Sequence, residues 1–240
     1  MPSWVCASPG GGRVSSFHPR LFCLLIARRL GFAGAMSKRP VPDFQFEATA
    51  YQFGALRVVG VDEVGRGPLA GPVTAAAVWL NPATIPAGLN DSKLLTKARR
   101  LALSADLFEV ADVSIAHSSV DEIDDMNILR ASHLAMIRAI QGLRNQPDCA
   151  LIDGNLIPKG MPCAAQAIVK GDMRSLSIAA ASIVAKVVRD AIMVDLAQQH
   201  PGYGWETNAG YPTLAHREAL EKLGVTAHHR RSFAPVYKML

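Results

Sequence analysis

Residues 57–80 constrain this chain more than any other segment. Arg57-Val-Val-Gly-Val-Asp-Glu63 is a β-branched run that ends in two acids, Val73 to Leu80 is a second apolar run, and a turn rich in Gly and Pro joins them. Runs of this kind, bounded by breakers, read as neighbouring strands. Helical spacing of Leu101, Ala105 and Phe108 predicts a helix over residues 96–110, and alternation predicts a third strand over 112–118. Another helix begins at Val120, with Ile123, Met126 or Asn127, Leu134, Ile137 and Leu143 along one side. Residues 150–153 and 165–170 read as the fourth and fifth strands. Residues 176–198 form a helix that is apolar nearly all round, and its successive Ala179, Ala180 and Ala181 suit close packing on a sheet. A short helix over 213–223 and a basic tail complete the chain. The expected fold class is α/β: a mixed five-stranded sheet flanked by helices, with a small helical C-terminal extension.

A chain of 240 residues, half of them hydrophobic, builds one core and is not disordered as a whole. The longest apolar stretch, Leu21 to Ala27, is stopped by Arg28 and Arg29, far short of the roughly 18 residues that span a bilayer. No membrane segment is expected. The net charge of +5 is misleading, because six of the 25 basic residues and none of the 20 acidic ones lie in residues 1–42. The remainder carries 19 basic against 20 acidic residues, so a nucleic-acid surface has to be a local patch. The cluster His228, His229, Arg230 and Arg231 is the expected place. Residues 1–50 are expected to lie outside the fold, residues 51–200 to form the main domain, and residues 201–240 the extension. The first 35 residues are rich in Gly, Ser and Arg. They read as a transit peptide, as an interrupted secretory signal, or, the preferred reading, as an over-extension preceding a start at Met36. Cys6, Cys23, Cys149 and Cys163 form no C-x-x-C pair, which suits a reducing compartment and a cytoplasmic location.

Asp62 and Glu63 end the first strand, Asp153 ends the fourth and Asp172 follows the fifth. Acids at strand ends converge on one edge of a sheet, where four carboxylates repel unless cations neutralise them. An all-oxygen donor set suits Mg2+ or Mn2+ rather than zinc. Two such ions about 4 Å apart can activate water and stabilise a leaving oxygen in phosphodiester hydrolysis. Taken singly, each acid reads as a turn or cap residue, Asp153-Gly154 above all. Adjacent Asp62 and Glu63 point to opposite faces of a regular strand, so both serve one site only if the strand ends or bulges there. The loop Gly65-Arg66-Gly67-Pro68-Leu69-Ala70-Gly71 is followed by Pro72 and a strand rather than a helix, which excludes a dinucleotide fingerprint. It reads as tight backbone that lets amides and carbonyls approach a ligand beside the acids.

These residues resemble the ribonuclease HII family, the type 2 ribonucleases H. Gly60-Val-Asp-Glu-Val-Gly-Arg-Gly-Pro-Leu-Ala-Gly-Pro-Val73 is similar to the family's first signature over its whole length. Asp91-Ser-Lys93, Leu151-Ile-Asp-Gly154, Lys170-Gly-Asp172, Ser177 to Ile183, Ala185-Lys186, Gly210-Tyr211 and His229-Arg-Arg-Ser-Phe233 follow in order. The resemblance covers about residues 55–236. It implies a ribonuclease H-like fold in which Asp62, Glu63, Asp153 and Asp172 are catalytic and hold Mg2+ or Mn2+, two ions being expected. It further implies that Gly65, Arg66 and Gly67 read a ribonucleotide 2′-hydroxyl and that Tyr211 stacks on or near the neighbouring deoxyribose. The implied substrates are RNA–DNA hybrids and duplex DNA with embedded ribonucleotides, the latter cut 5′ of a single ribonucleotide, to give 3′-hydroxyl and 5′-phosphate ends; the chain is expected to be a monomer. Ribonucleotide removal and RNA primer removal are the implied roles. Ala209 stands where the family usually has Lys and Leu94 at a frequently basic position, each a lost phosphate contact.

Other residues read more plainly. Lys186 and Arg189 are solvated helix cations within possible reach of phosphates. His117, His133 and His216 have no expected role, and Trp79, Phe108 and Trp205 are packing residues. Two alternatives share part of this pattern. Another two-metal nuclease, such as a resolvase, would use the acids but not the Gly-Arg-Gly loop. A non-catalytic nucleic-acid-binding module would lack one or more of the four acids.

Overall fold

The structure, a computed structural model, describes residues 4–5 and 41–240. Its centre is a mixed sheet of β2 (Val58–Val64), β3 (Val73–Trp79), β4 (Asp112–Ser118), β5 (Cys149–Asp153) and β6 (Ala164–Ile168). A two-residue strand, β1 (Trp4–Val5), pairs antiparallel with β6, giving the order β1-β6-β5-β2-β3-β4, with one short strand more than expected. The helices are α1 (Gln45–Gln52), α2 (Lys97–Val110), α3 (Val120–Met126), α4 (Ile128–Gln141), α5 (Leu176–Gln199), α6 (Trp205–Asn208), α7 (Leu214–Leu223) and α8 (Ala234–Tyr237). β2, β3 and β4 form an antiparallel meander, whereas β2, β5 and β6 run parallel. Parallel strands bring their carboxyl ends to one edge of the sheet, and here those ends carry Asp62, Glu63 and Asp153.

Side-chain alternation splits the core into two layers. Val59, Val61, Ala75, Ala77, Ala150 and Ile152 pack with Ala135, Met136, Ala139 and Ile140 of α4. On the other face, Ala76 and Val78 pack with Leu103 and Leu107 of α2 and with the fully buried Ala179, Ala180 and Ala181 of α5. α5 lies so close on β2 that a Cβ at Gly60 would stand 2.1 Å from the carbonyl carbon of Ser177. α2 is turned from the expected face: it buries Leu103, Ser104 and Leu107 and leaves Leu101 and Phe108 exposed. Both stripes satisfy helical spacing. The choice follows from Arg100, near the buried stripe, whose Nη1 donates to the carbonyls of Ser92 and Leu95 at 3.0 and 2.6 Å.

The expected boundary at residue 50 falls inside α1, which belongs to the folded body. Glu47 is buried, and its Oε1 accepts from Ser175 Oγ (2.6 Å), Ser177 N (2.8 Å) and Ser177 Oγ (2.5 Å), placing a carboxylate at the N-terminus of α5. Of the first 35 residues only Trp4 and Val5 are described, so the expectation that this segment is unfolded or an over-extension otherwise lies outside the described residues. The C-terminal helices share a core with the loop after β2: Tyr203, Trp205, Leu220 and Val236 pack with Leu69, Ala70 and Met193. No described helix is long and apolar enough to cross a membrane. Cys149 and Cys163 are buried free thiols; burial pushes Cys163 up to about 12 and raises Cys149 as well, which keeps both protonated.

Candidate active site

The last pair between β2 and β5 is Val61 with Ile152, whereas the β2–β3 ladder continues to Val64 with Thr74. The parallel strands therefore part at the residues that carry the acids, without a bulge in β2. By alternation Asp62 continues the side of Gly60, toward α5, and Glu63 the side of Val61, toward α4. The charge of Asp153 acts on both. Asp172 arrives on a 3-10 turn, Gly171–Met173, after Lys170 in the left-handed conformation (φ 55°). The Gly171 amide donates to Asp153 Oδ1 at 2.7 Å, locking this turn to the end of β5.

Burial raises the Asp62 carboxyl well above the ordinary carboxylate range, and the charges of Asp153, Glu63 and Asp172 add to it. The Glu63 amide, donating to Asp62 Oδ1 at 2.7 Å, offsets only part. Glu63 is raised by burial and by Asp153, although Arg66 Nη1 donates to its Oε1 at 3.2 Å. Asp153 is raised by burial and then by Asp172, against the amides of Gly171, Asp172 and Gly154. Lys93 Nζ lies 3.3 Å from Asp172 Oδ2 and 3.8 Å from Asp91 Oδ1. Burial pulls its ammonium down, but Asp172, Asp91 and Asp62 together hold it above the usual lysine value. Lys93 and Arg66 are both exposed, so two buried acids, Asp62 and Asp172, and two half-buried ones are matched among the described residues only by cations at the rim. Glu63 Oε2 is buried without a hydrogen-bond partner among the described residues. As they stand, the acids do not form a closed ligand cage among the described residues, since amides and Lys93 take several of their oxygens.

Beside Glu63 the loop of residues 65–71 opens and closes on left-handed glycines, Gly65 (φ 93°) and Gly71 (φ 80°). Two fully buried arginines lie beneath it. Arg230 donates to the carbonyls of Gly65 (2.6 Å), Arg66 (3.0 Å), Pro68 (2.8 Å) and Gly71 (2.8 and 3.0 Å). Arg189 donates to those of Pro72 (3.0 Å), Ala70 (3.1 Å) and Ala209 (2.9 Å). Burial lowers Arg189 to about 10 and Arg230 to about 9, the nearness of Arg189 adding to the latter. Both findings correct the sequence reading. Arg189 is not a solvated cation, and the cluster around Arg230 is not a basic surface patch: His229 and Arg230 are interior, and Arg231 is exposed. Inward-turned loop carbonyls satisfy a guanidinium at depth without a carboxylate.

All four predicted acids thus meet at one sheet edge, and Gly65, Arg66, Gly67 and Tyr211 lie together next to it. A Cβ at Gly67 would stand 3.4 Å from the Tyr211 ring, which is 42% exposed. Tight packing explains the glycines, since a Cβ at Gly65 would meet Arg189 Nε at 2.1 Å and one at Gly210 the Ala70 carbonyl at 2.7 Å. Ala209 gives its carbonyl to Arg189 and packs its methyl on the apolar cluster around Trp205. Sequence reasoning assigned no role to Lys93, and it put Arg189 and Arg230 at the surface rather than beneath the loop. Asp91-Ser92-Lys93 is a turn held to α5 by Ser182 Oγ and Ser92 Oγ at 2.8 Å, which is what aims Lys93 at Asp172.

A profile described as Ribonuclease HII matches residues 59–236. A ribonuclease HII of Ruegeria pomeroyi is 62% identical over 232 residues, 97% of this chain and 96% of that protein. One of Paracoccus denitrificans is 64% identical over 199 residues, 83% of this chain and 95% of that protein. Among solved structures, ribonuclease H2 from Pyrococcus horikoshii superposes with a TM-score of 0.65 at 28% identity, covering 77% of this chain and 97% of that one. Bst-RNase HIII in complex with Mn2+ shares the fold at a TM-score of 0.64 and 21% identity, over 79% and 71% of the two chains. The ribonuclease H fold, with acids at the carboxyl ends of its parallel strands, is therefore matched by sequence across nearly all of the folded body: the chain belongs to the ribonuclease HII family and is a ribonuclease H acting on RNA–DNA.

Proposed function

We propose that this chain is a divalent-metal-dependent endonuclease that cuts the RNA strand of hybrids and cuts duplex DNA on the 5′ side of a single embedded ribonucleotide. The observation that carries this reading is the meeting of four acids at one sheet edge with the loop of residues 65–71 and Tyr211 beside them. Asp62, Glu63, Asp153 and Asp172 would hold the metal. Their donor set is all oxygen, their burial and mutual repulsion leave the site short of positive charge, and Glu63 Oε2 has no partner among the described residues. These features fit a hard cation such as Mg2+ or Mn2+. When bound, such ions supply an activated water and charge stabilisation at the leaving 3′-oxygen, consistent with 3′-hydroxyl and 5′-phosphate products.

The protein's own groups do the positioning. Gly171 N fixes the Asp153 carboxylate, Lys93 steadies Asp172, and Arg66 steadies Glu63 at the loop. The loop of residues 65–67 would read the 2′-hydroxyl, the group that distinguishes RNA from DNA locally, while Tyr211 would stack against the next, deoxy, sugar. In the cell such an enzyme serves ribonucleotide and RNA-primer removal.

Labelled duplexes containing no, one or several ribonucleotides test the reading in Mg2+, in Mn2+ and in excess chelator. Expected is one cut 5′ of the single ribonucleotide, none in all-DNA, and loss of cleavage with chelator or in Asp153→Asn. Robust cleavage in chelator overturns the metal assignment. Cleavage of long hybrids but not of the single-ribonucleotide duplex overturns the junction reading and leaves a general hybrid nuclease.

A further inference from the structure

We propose that Arg230 is a positioning residue for ribonucleotide recognition: it turns the amides of Arg66 and Gly67 outward as preset donors for a ribose 2′-hydroxyl. The inference rests on the ribonucleotide reading above and names the device behind it.

The five N–H groups of the Arg230 guanidinium are all engaged, Nε with Gly71 O, Nη1 with Arg66 O and Pro68 O, Nη2 with Gly65 O and Gly71 O. In a trans peptide the C=O and the following N–H point in opposite directions, and no described peptide bond is cis. Capturing the carbonyls of Gly65 and Arg66 from beneath therefore aims the amides of Arg66 and Gly67 away from the interior. Neither of these amides has an acceptor among the described residues. A guanidinium on the oxygen of a peptide also polarises its N–H, making each amide a stronger donor than an unbound one. Because Arg230 is buried and forms no ion pair among the described residues, its charge is spent on the loop rather than on a carboxylate. Its backbone adds to the grip, with the Arg230 amide donating to Leu69 O at 2.8 Å.

Arg189 extends the same device sideways. It joins Ala70 O and Pro72 O of the loop to Ala209 O, two residues before Tyr211, and Leu69 N donates to Gly210 O at 2.7 Å. The spacing between the outward amides and the Tyr211 ring is thereby set by buried groups that touch no substrate. Lysine cannot replace either arginine, since one ammonium carries its three donors on a single nitrogen and cannot span the four carbonyls held by Arg230 or the three, spread over two segments, held by Arg189. A deoxyribose would leave two polarised amides without an acceptor in the closed complex, which is the physical basis of the discrimination.

The experiment compares binding of two fluorescent duplexes, identical except for one ribonucleotide, in chelator so that no cleavage intervenes. Arg230→Lys and Arg189→Lys are measured beside the unmodified chain, with thermal melting of each. Arg230→Lys is expected to lower the ribonucleotide preference by about 10-fold, the scale of losing well-aligned hydrogen bonds. Its affinity for the all-DNA duplex is expected to stay within about twofold, because phosphate contacts supply that affinity and Arg230 is too deep to make one. A parallel loss for both duplexes tracking a lower Tm, or an unchanged preference, overturns the proposal. A second measurement needs no variant: amide hydrogen exchange at Arg66 and Gly67 is expected to slow with the ribonucleotide duplex and not with the all-DNA duplex. Equal exchange with both would likewise overturn it. If the unmodified chain shows no ribonucleotide preference and also fails to cut the single-ribonucleotide duplex, the functional reading itself falls, and this inference with it.

Discussion

Tyr211 presents its ring to solvent while its main chain is held from behind, the carbonyl by His216 Nδ1 at 2.9 Å and the amide by Asn208 O at 2.9 Å. Replacing the side chain therefore removes a contact surface without loosening the backbone. Tyr211→Ala is expected to lower kcat/KM on the single-ribonucleotide duplex by about 10- to 100-fold, the scale of one base- or sugar-stacking contact. The midpoint of urea unfolding should barely move, as for other exposed substitutions. A large stability loss would make Tyr211 a packing residue instead. At this scale the acids were legible and the arginines were not. Asp62, Glu63, Asp153 and Asp172 stand at strand ends, and strand ends follow from local pattern. The depth of Arg189 and Arg230 depends on carbonyls turned inward by a loop that lies 117 to 165 residues earlier in the chain. No local spacing distinguishes Arg189 from its solvent-reaching neighbour Lys186, whose Nζ pairs with Asp190 at 2.7 Å.

Among the elements, the contact of β2 with α5 sets the site most directly, because β2 carries Asp62 near its end and α5 starts just after Asp172. Gly60 permits that contact. A methyl there would meet Ser177 C at 2.1 Å, Ile178 N at 2.3 Å and Ser177 O at 2.4 Å, all backbone atoms that no rotamer change can move aside. Gly60→Ala is expected to cost roughly 3 kcal/mol or more by overpacking, read from urea unfolding. Cleavage by the remaining folded protein should also fall, since lifting α5 moves Asp172 away from Asp62; a neutral Gly60→Ala would show that the two elements are less tightly apposed. β2 to β6 and α5 were legible because each is an apolar or alternating run bounded by breakers, short for the strands and long for the helix. α2 offered two apolar stripes and the wrong one was chosen, the decision resting on Arg100 and the Ser92 turn. α1 left no signal at all, since its place is set by Glu47 reaching Ser175 and Ser177, some 128 to 130 residues away.

Across the whole molecule two buried titrating clusters pull stability in opposite directions with pH. Among the C-terminal elements, His216 Nδ1 faces the Tyr211 carbonyl and so carries a proton, which leaves Nε2 to accept from Trp205 Nε1 at 3.0 Å. His229 Nδ1 faces the Thr226 amide at 3.0 Å, so its proton sits on Nε2, which shares the His216 Nε2 lone pair with Trp205 from 3.2 Å. Both rings are satisfied when neutral, and an added proton on either sets donor against donor. Burial, and then His216, His228 and His200, lower His229 to about 4 from an ordinary 6.5. Between those values the unfolded chain holds more protons than the folded one. The contribution of His229 is therefore complete above about pH 6.5 and lost as pH falls to about 4, on the order of 3 kcal/mol for this 1%-exposed ring. Asp62, Glu63 and Asp153 act the other way. Their folded values lie above the unfolded ones, so the metal-free protein holds extra protons and loses stability as pH rises through the raised values. Urea unfolding in chelator from pH 4 to 8 separates the two. Relative to the unmodified chain, His229→Gln should tilt the stability profile toward acid and Asp62→Asn toward base, and Asp62→Asn should be the more stable protein near pH 8. A His229→Gln profile parallel to that of the unmodified chain would mean that the histidine pair does not enter the fold neutral. A parallel Asp62→Asn profile would mean that the four acids do not repel one another, removing the electrostatic ground for placing a cation among them.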